Sequence, residues 1–163
     1  MTGLGVEVRE AAGCTGDWML WRELRLRALL ESPGAFGSTY DRELRFTESD
    51  WTGRLDGSAG PAVLAFLDGV PVGMGAGFRD LPGWLHVVAM WTEPTHRGSG
   101  VGTAVLAHLA EWAGDRDLRV HLDVALANPK ARVVYERAGF VPTGETRPLR
   151  EGSTDLIERL TIP

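Results

Sequence analysis

The stretch Met90–Leu106, MWTEPTHRGSGVGTAVL, restricts the fold more than any other. It sets Gly98, Gly100 and Gly102 directly after Arg97 and directly before a helix-forming run. Glycine at alternate positions removes the Cβ atoms that would hold a ligand away from the main chain. Bare N–H groups at a helix N-terminus, aided by the helix dipole, favour an anion. Upstream, WLHVVAMW (84–91) reads as a strand. Downstream, Val101, Val105, Leu109 and Trp112 form one apolar helical stripe, and LRVHLDV (118–124) reads as the next strand. The centre of the chain is therefore strand, glycine turn, helix, strand.

Two common phosphate loops do not fit. A P-loop needs a lysine after its second glycine, and none lies near these glycines. A dinucleotide fingerprint starting at Gly98 would put its third glycine at Thr103. The glycines also begin several residues past the strand, after Glu93-Pro94, and too little chain follows for a second nucleotide half.

Around this centre, VEVRE (6–10) alternates as a strand, and Asp17 is expected to cap a helix carrying Leu20, Leu24 and Ala28. ESPGAFGSTYDRE breaks that helix, and Thr47 or Ser49 starts a shorter one to about Leu55. AVLAFL and VPVGMGAGF flank Asp68-Gly69, a hairpin signal. PKARVVYERAGF reads as a helix stopped by Gly139, and VPTGE and TDLIERLTI as two final strands. The order is β-α-α-β-β-β-α-β-α-β-β, an α/β (α+β) chain whose hairpins make the sheet mixed.

With 163 residues, one domain covering 1–163 is expected. A net charge of −5 argues against a nucleic-acid partner, which needs a basic face. No apolar run approaches membrane length, the first residues lack a signal peptide's blocks, and Cys14 stands alone. A cytoplasmic location without membrane attachment is expected.

Arg97-Gly-Ser-Gly-Val-Gly102 resembles the R-G-x-G-x-G/A loop of GNAT-type N-acetyltransferases, with Thr92-Glu93-Pro94 in place of an apolar-x-Pro signature. Asn128, Ala131, Tyr135 and Ala138-Gly-Phe140 resemble the same family's second coenzyme motif. The resemblance spans roughly Trp84 to Pro142; Thr92 departs from the usual apolar residue. It implies a mixed, mostly antiparallel sheet of about seven strands flanked by four helices. It further implies acetyl-coenzyme A (acetyl-CoA) as cosubstrate and no metal. The coenzyme would meet Arg97, Gly98, Ser99, Gly100, Val101, Gly102 and Thr103 at its diphosphate. Its pantetheine arm would meet the backbone of Met90, Trp91 and Thr92, with Asn128, Ala131 and Tyr135 opposite.

The reaction so implied is direct attack of a primary amine on a thioester. Neutralising an amine of pKa ~10.4 at pH 7 costs about 4–5 kcal/mol, whereas an α-amine near ~8 costs about 1 kcal/mol. His86, six residues before Thr92 where the family often has a Glu base, is the leading proton acceptor. Glu43, Asp41 and Glu93 are alternatives, and His96 is expected nearer phosphate or solvent. Tyr135 resembles the family's general acid. Lys130 and Arg132 are candidates for an outer phosphate. The alternative function is a coenzyme-binding sensor or regulatory domain without turnover; Tyr135 favours the enzyme. The acceptor, a small-molecule or peptide amine, is not encoded in any recognisable motif, and a homodimer is frequent among similar proteins.

Overall fold

Seven strands form one sheet in the order β1-β2-β3-β4-β5-β7-β6 in the computed structural model, which describes residues 5–163. The strands are β1 (Val6–Glu10), β2 (Ala62–Leu67), β3 (Val70–Phe78), β4 (Trp84–Thr92), β5 (Arg119–Ala125), β6 (Val141–Pro148) and β7 (Leu156–Thr161). Every neighbouring pair is antiparallel except β4 and β5. The last strand, β7, inserts between β5 and β6 and leaves β6 at the edge. Residues 1–4, part of the segment read as lacking a targeting signal, lie outside the described residues. Among the described residues no helix is long and apolar enough to cross a membrane.

Among the described residues five α-helices accompany the sheet: α1 (Asp17–Glu31), α2 (Tyr40–Glu43), α3 (Glu48–Arg54), α4 (Val101–Gly114) and α5 (Pro129–Arg137). The short α2 corrects the expectation of four. It forms inside the stretch read as a break, because the Thr39 hydroxyl accepts from the Arg42 N–H and nucleates one turn. Asp17 also differs from its expected capping role. Gly16 occupies the N-cap, and the Asp17 carboxylate instead accepts from the Ala12 N–H (3.0 Å) and pairs with Arg9 (2.8 Å), tying β1 to α1.

Other local signals act as the sequence suggests. Thr47 and Asp50 exchange bonds in a capping box at α3. Asp68 (φ 51°) and Gly69 (φ 80°) are both left-handed in the two-residue hairpin loop between β2 and β3. Gly139 (φ 101°) follows the C-cap Ala138; its N–H and that of Phe140 return to Glu136 and Tyr135. That pattern is a Schellman stop, and it seats the Phe140 ring against Tyr135.

The two faces of the sheet bury different sets. One packs Leu85, Val87, Leu122 and Leu160 against Val101, Val105 and Leu109 of α4. The other packs Leu64, Phe66 and Met74 against α1 and the fully buried Trp51. Helix α4 approaches β3 very closely. A Cβ at Gly73 would sit 2.6 Å from Val101 Cγ1, and one at Gly75 would sit 2.5 Å from Val105 Cγ1. Glycine at both positions therefore fixes how near the α4 N-terminus lies to the sheet.

Candidate functional site

The parallel strands β4 and β5 pair only from Trp84↔Arg119 to Val87↔Leu122. Beyond that they part. The divergence begins where the β3–β4 register shifts and Ala89 takes a positive φ of 58°, a bulge that bends β4 away from its neighbour. Main-chain groups of the last β4 residues thus face a gap instead of a partner strand. Around the gap is a cleft of about 570 Å³, lined by His86 to Met90, by Leu122 to Ala125, and by Asn128, Ala131 and Tyr135. A second hollow, about 540 Å³, lies beside Gly13 and Thr52 and contains none of the predicted site residues.

The glycine loop stands at the end of β4. Gly98 (φ 80°) and Gly100 (φ 87°) are left-handed, and a Cβ on either would meet nothing within 4 Å. Gly102 is helical, with Thr92 Oγ1 3.7 Å from where its Cβ would be. The first α4 hydrogen bond runs from the Ala104 N–H to the Gly100 carbonyl at 3.0 Å. The N–H groups of Val101, Gly102 and Thr103 therefore point out of the helix without intrahelical acceptors. The Ser99 hydroxyl donates to the His96 carbonyl and closes the turn.

Arg97 is committed to other partners. Its Nε donates to the Thr92 carbonyl (3.1 Å) and its Nη2 pairs with Glu31 (2.5 Å), which also accepts from the Trp91 indole (3.0 Å). Burial by itself would raise the Glu31 pKa; the Arg97, Ser32 and Trp91 bonds outweigh it and hold the carboxyl at about 2. Met90 is half-buried and packs over Gly75, Trp91 is buried, and Thr92 pairs with Gly73.

Across the gap, Asn128 caps α5, its Oδ1 accepting from the Ala131 N–H at 3.2 Å. Tyr135 lies two turns further on, over the cleft, and its phenol has no hydrogen-bond partner among the described residues. Burial pushes its pKa up to about 12, so it stays a protonated donor. Arg132 is committed to Glu136 (2.7 Å) and Glu158 (2.6 Å), while Lys130 is exposed.

His86 is buried on the sheet face opposite α4 and borders the cleft. It belongs to a polar group that the sequence reading did not assemble. His121 is its cross-strand partner in β5. Asp80 Oδ2 lies 2.8 Å from His121 Nε2 and 3.3 Å from His86 Nδ1, and Asp123 Oδ2 lies 3.6 Å from His86 Nε2. Arg159 binds both Asp123 oxygens, at 3.0 and 3.2 Å. The signal was present in VHLDV: strand alternation puts His121 and Asp123 on one face. Burial lowers the His86 pKa more than Asp123 and Asp80 restore it, so the ring is neutral at pH 7.

The remaining carboxylates are placed elsewhere. Glu43 is fully buried, accepting from Arg25 Nε (3.0 Å) and Nη2 (2.9 Å), with Arg54 at 3.3 Å. Asp41 is exposed, and Glu93 pairs with Arg27. His96 sits in the turn Pro94–His96, its Nδ1 3.0 Å from Thr95 Oγ1.

The profile of the acetyltransferase (GNAT) family matches residues 20–140, taking in the cleft, the glycine loop and Tyr135. The chain belongs to the GNAT family. It is 34% identical over 73 residues to acetyltransferase Atu2258 of Agrobacterium fabrum, a match covering 44% of this chain and 52% of that protein. The match thus spans about half the length of that relative. Among solved structures, a GNAT-family acetyltransferase of Streptococcus pneumoniae superposes with a TM-score of 0.80 at 21% identity, covering 98% of this chain and all of the other. YncA of Salmonella typhimurium, solved with its cofactor acetyl-CoA, superposes at 0.75 with 16% identity, over 96% and 92% of the chains. Both likenesses extend the GNAT fold over nearly all of the described residues, including most of the N-terminal third that carries no motif.

Proposed function

We propose that this GNAT-family chain transfers an acetyl group from acetyl-CoA to a primary amine, by direct attack with both substrates bound. The observation that carries the reading is the alignment of two features. The amides that start α4 have no intrahelical acceptor and follow glycines whose Cβ positions are unobstructed, and the β4–β5 gap opens beside the last β4 residues with the unpartnered Tyr135 phenol on its lining. The first suits a diphosphate; the second suits an extended arm that hydrogen-bonds main chain as a strand would.

In this reading the N–H groups from Gly98 to Thr103 hold the diphosphate. The backbone of Met90, Trp91 and Thr92, with Asn128 and Ala131, borders the arm. Arg97 must leave either Glu31 or the Thr92 carbonyl to join them. Acetyl-CoA supplies an acetyl group activated as a thioester. The amine nitrogen forms a bond to the acyl carbon, the carbon–sulfur bond breaks, and the amine's proton balances the departing thiolate.

His86 is the proton acceptor that the geometry supports. With its proton on Nδ1, directed at Asp80 (3.3 Å), the ring carries an unprotonated Nε2 that borders the cleft, 3.6 Å from Asp123 Oδ2. Its depressed pKa keeps that lone pair free at neutral pH. Tyr135 acts at the sulfur. With a phenol near 12, full proton donation to a thiolate of ~8.5 is uphill, so a hydrogen bond that strengthens as charge develops is its contribution.

Titration calorimetry with acetyl-CoA, then thiol release across a panel of amines, tests the proposal. Tyr135→Phe should cut turnover by about 10²-fold or more while leaving coenzyme affinity within about twofold. Unchanged turnover refutes the role of Tyr135. No heat with acetyl-CoA refutes the function.

A further inference from the structure

We propose that Asp80, His86 and His121 form a binding site for a divalent transition-metal ion of the zinc class, contrary to the expectation of no metal. One ligand atom from each lies within 4.8 Å of the other two, and both histidines are buried. Two imidazoles and one carboxylate are a donor set for Zn²⁺ that leaves a fourth position open.

The fold presents these groups before any ion arrives. The register pairs Phe78 with His86 and His86 with His121, so the three rings stand in one row across β3, β4 and β5. Phe78 stacks on His86 (centroids 5.2 Å, 14°) and Trp84 stacks on His121 (4.8 Å, 17°), which fixes both imidazole planes. The imidazole centres are 4.9 Å apart. An ion about 2.1 Å from each nitrogen lies about 3.2 Å from each centre, so the nitrogen–metal–nitrogen angle is about 100°, close to tetrahedral.

Two details distinguish this from a carboxylate merely shared by two histidines. Asp80 Oδ1 is buried and has no partner, although an unmet buried acceptor costs about 1–3 kcal/mol. Metal-ligating histidines direct their second nitrogen at a carboxylate, and a carboxylate other than Asp80 lies near His86 Nε2: Asp123 Oδ2 at 3.6 Å, close enough to be drawn into a hydrogen bond when the ion fixes the proton on that nitrogen. Arg159 approaches His86 Nδ1 to 3.5 Å but is anchored in two-pronged fashion on Asp123, not on Asp80.

Occupancy has a consequence that rests on the proposed role of His86. A metal on Nδ1 places the ring's remaining proton on Nε2, so the nitrogen facing the cleft no longer accepts one. The loaded protein should therefore be a slower acetyltransferase.

The test is a ZnCl₂ titration of full-length, chelator-treated protein, followed by calorimetry and by thermal unfolding. One equivalent should bind and raise the unfolding temperature. Asp80→Asn and His121→Asn should each weaken binding by at least about tenfold. Double replacement of the other two histidines, His96 and His108, by Gln should leave Zn²⁺ binding unchanged. No binding by the wild type, or equal binding by the Asp80 and His121 variants, overturns the site. Should either variant fail to fold, Co²⁺ added to wild type decides. An intense tetrahedral visible spectrum supports the site, and the weak spectrum of octahedral Co²⁺ overturns it. None of these readouts requires turnover, so failure to acetylate any amine would strike the proposed function and leave this result standing. Where turnover is measured, one equivalent of Zn²⁺ that binds without slowing it overturns the inhibitory consequence.

Discussion

Replacing Glu43 by glutamine separates a structural carboxylate from a catalytic one. The side chain is fully buried and accepts two bonds from Arg25 and one from Arg54. Glutamine keeps the shape, removes the charge and turns one acceptor into a donor facing a guanidinium. Arg25 has only 11% of its side chain exposed and remains beside the amide as a buried, uncompensated cation. Arg54, at 38%, can turn to water. Breaking a buried pair costs ~3–5 kcal/mol, and the escape of Arg54 places this variant near 3. At ~2–4 °C per kcal/mol for a domain of this size, Tm should fall by roughly 6–12 °C in a thermal scan at pH 7. The pH dependence has a definite sign. Burial raises the Glu43 pKa, but the Arg25 bonds and charge lower it further, so its folded value lies below normal. Its stabilisation is complete above the unfolded pKa of ~4.3 and is lost as pH falls through the folded value, so the variant's deficit should be largest at neutral pH and close in acid. A Tm within about 2 °C of wild type would refute the reasoning. If turnover collapsed at unchanged Tm, Glu43 would replace His86 as the proton acceptor.

Gly75→Ala should cost about 1–3 kcal/mol, because its Cβ would lie 2.5 Å from Val105 Cγ1 and 2.8 Å from Met90 Sδ; a Tm drop of roughly 2–12 °C checks this. Gly100→Ala, with φ 87°, adds about 1–2 kcal/mol of left-handed strain although its Cβ is unobstructed; calorimetry should show acetyl-CoA affinity reduced by about tenfold. Asp17→Asn should flatten the acid limb of stability. The Arg9 hydrogen bond holds the Asp17 carboxyl at about 2, so its contribution, complete above the unfolded value of ~3.9, is lost as pH falls toward 2. Urea midpoints measured from about pH 5 to 2 should converge for variant and wild type.

Features legible in the sequence are those whose physics closes within a few residues. The Asp68-Gly69 turn, the Thr47–Asp50 box, the Gly139 stop and the left-handed, unobstructed glycines Gly98 and Gly100 each need only a local backbone conformation. What eluded the sequence depends on register. His86 and His121 are 35 residues apart, and only the parallel pairing of β4 with β5 sets them side by side, with Asp80 brought in by the β3–β4 connection. The Glu43–Arg25 pair is equally invisible, since α1 and α2 must first pack against the sheet. A one-residue slip of β5 against β4 would turn His121 into the apolar face against α4 and bring Leu122 beside His86. The buried run Val120, Leu122 and Val124 forbids that slip. The same apolar periodicity that builds the core therefore determines which polar groups meet on its reverse side.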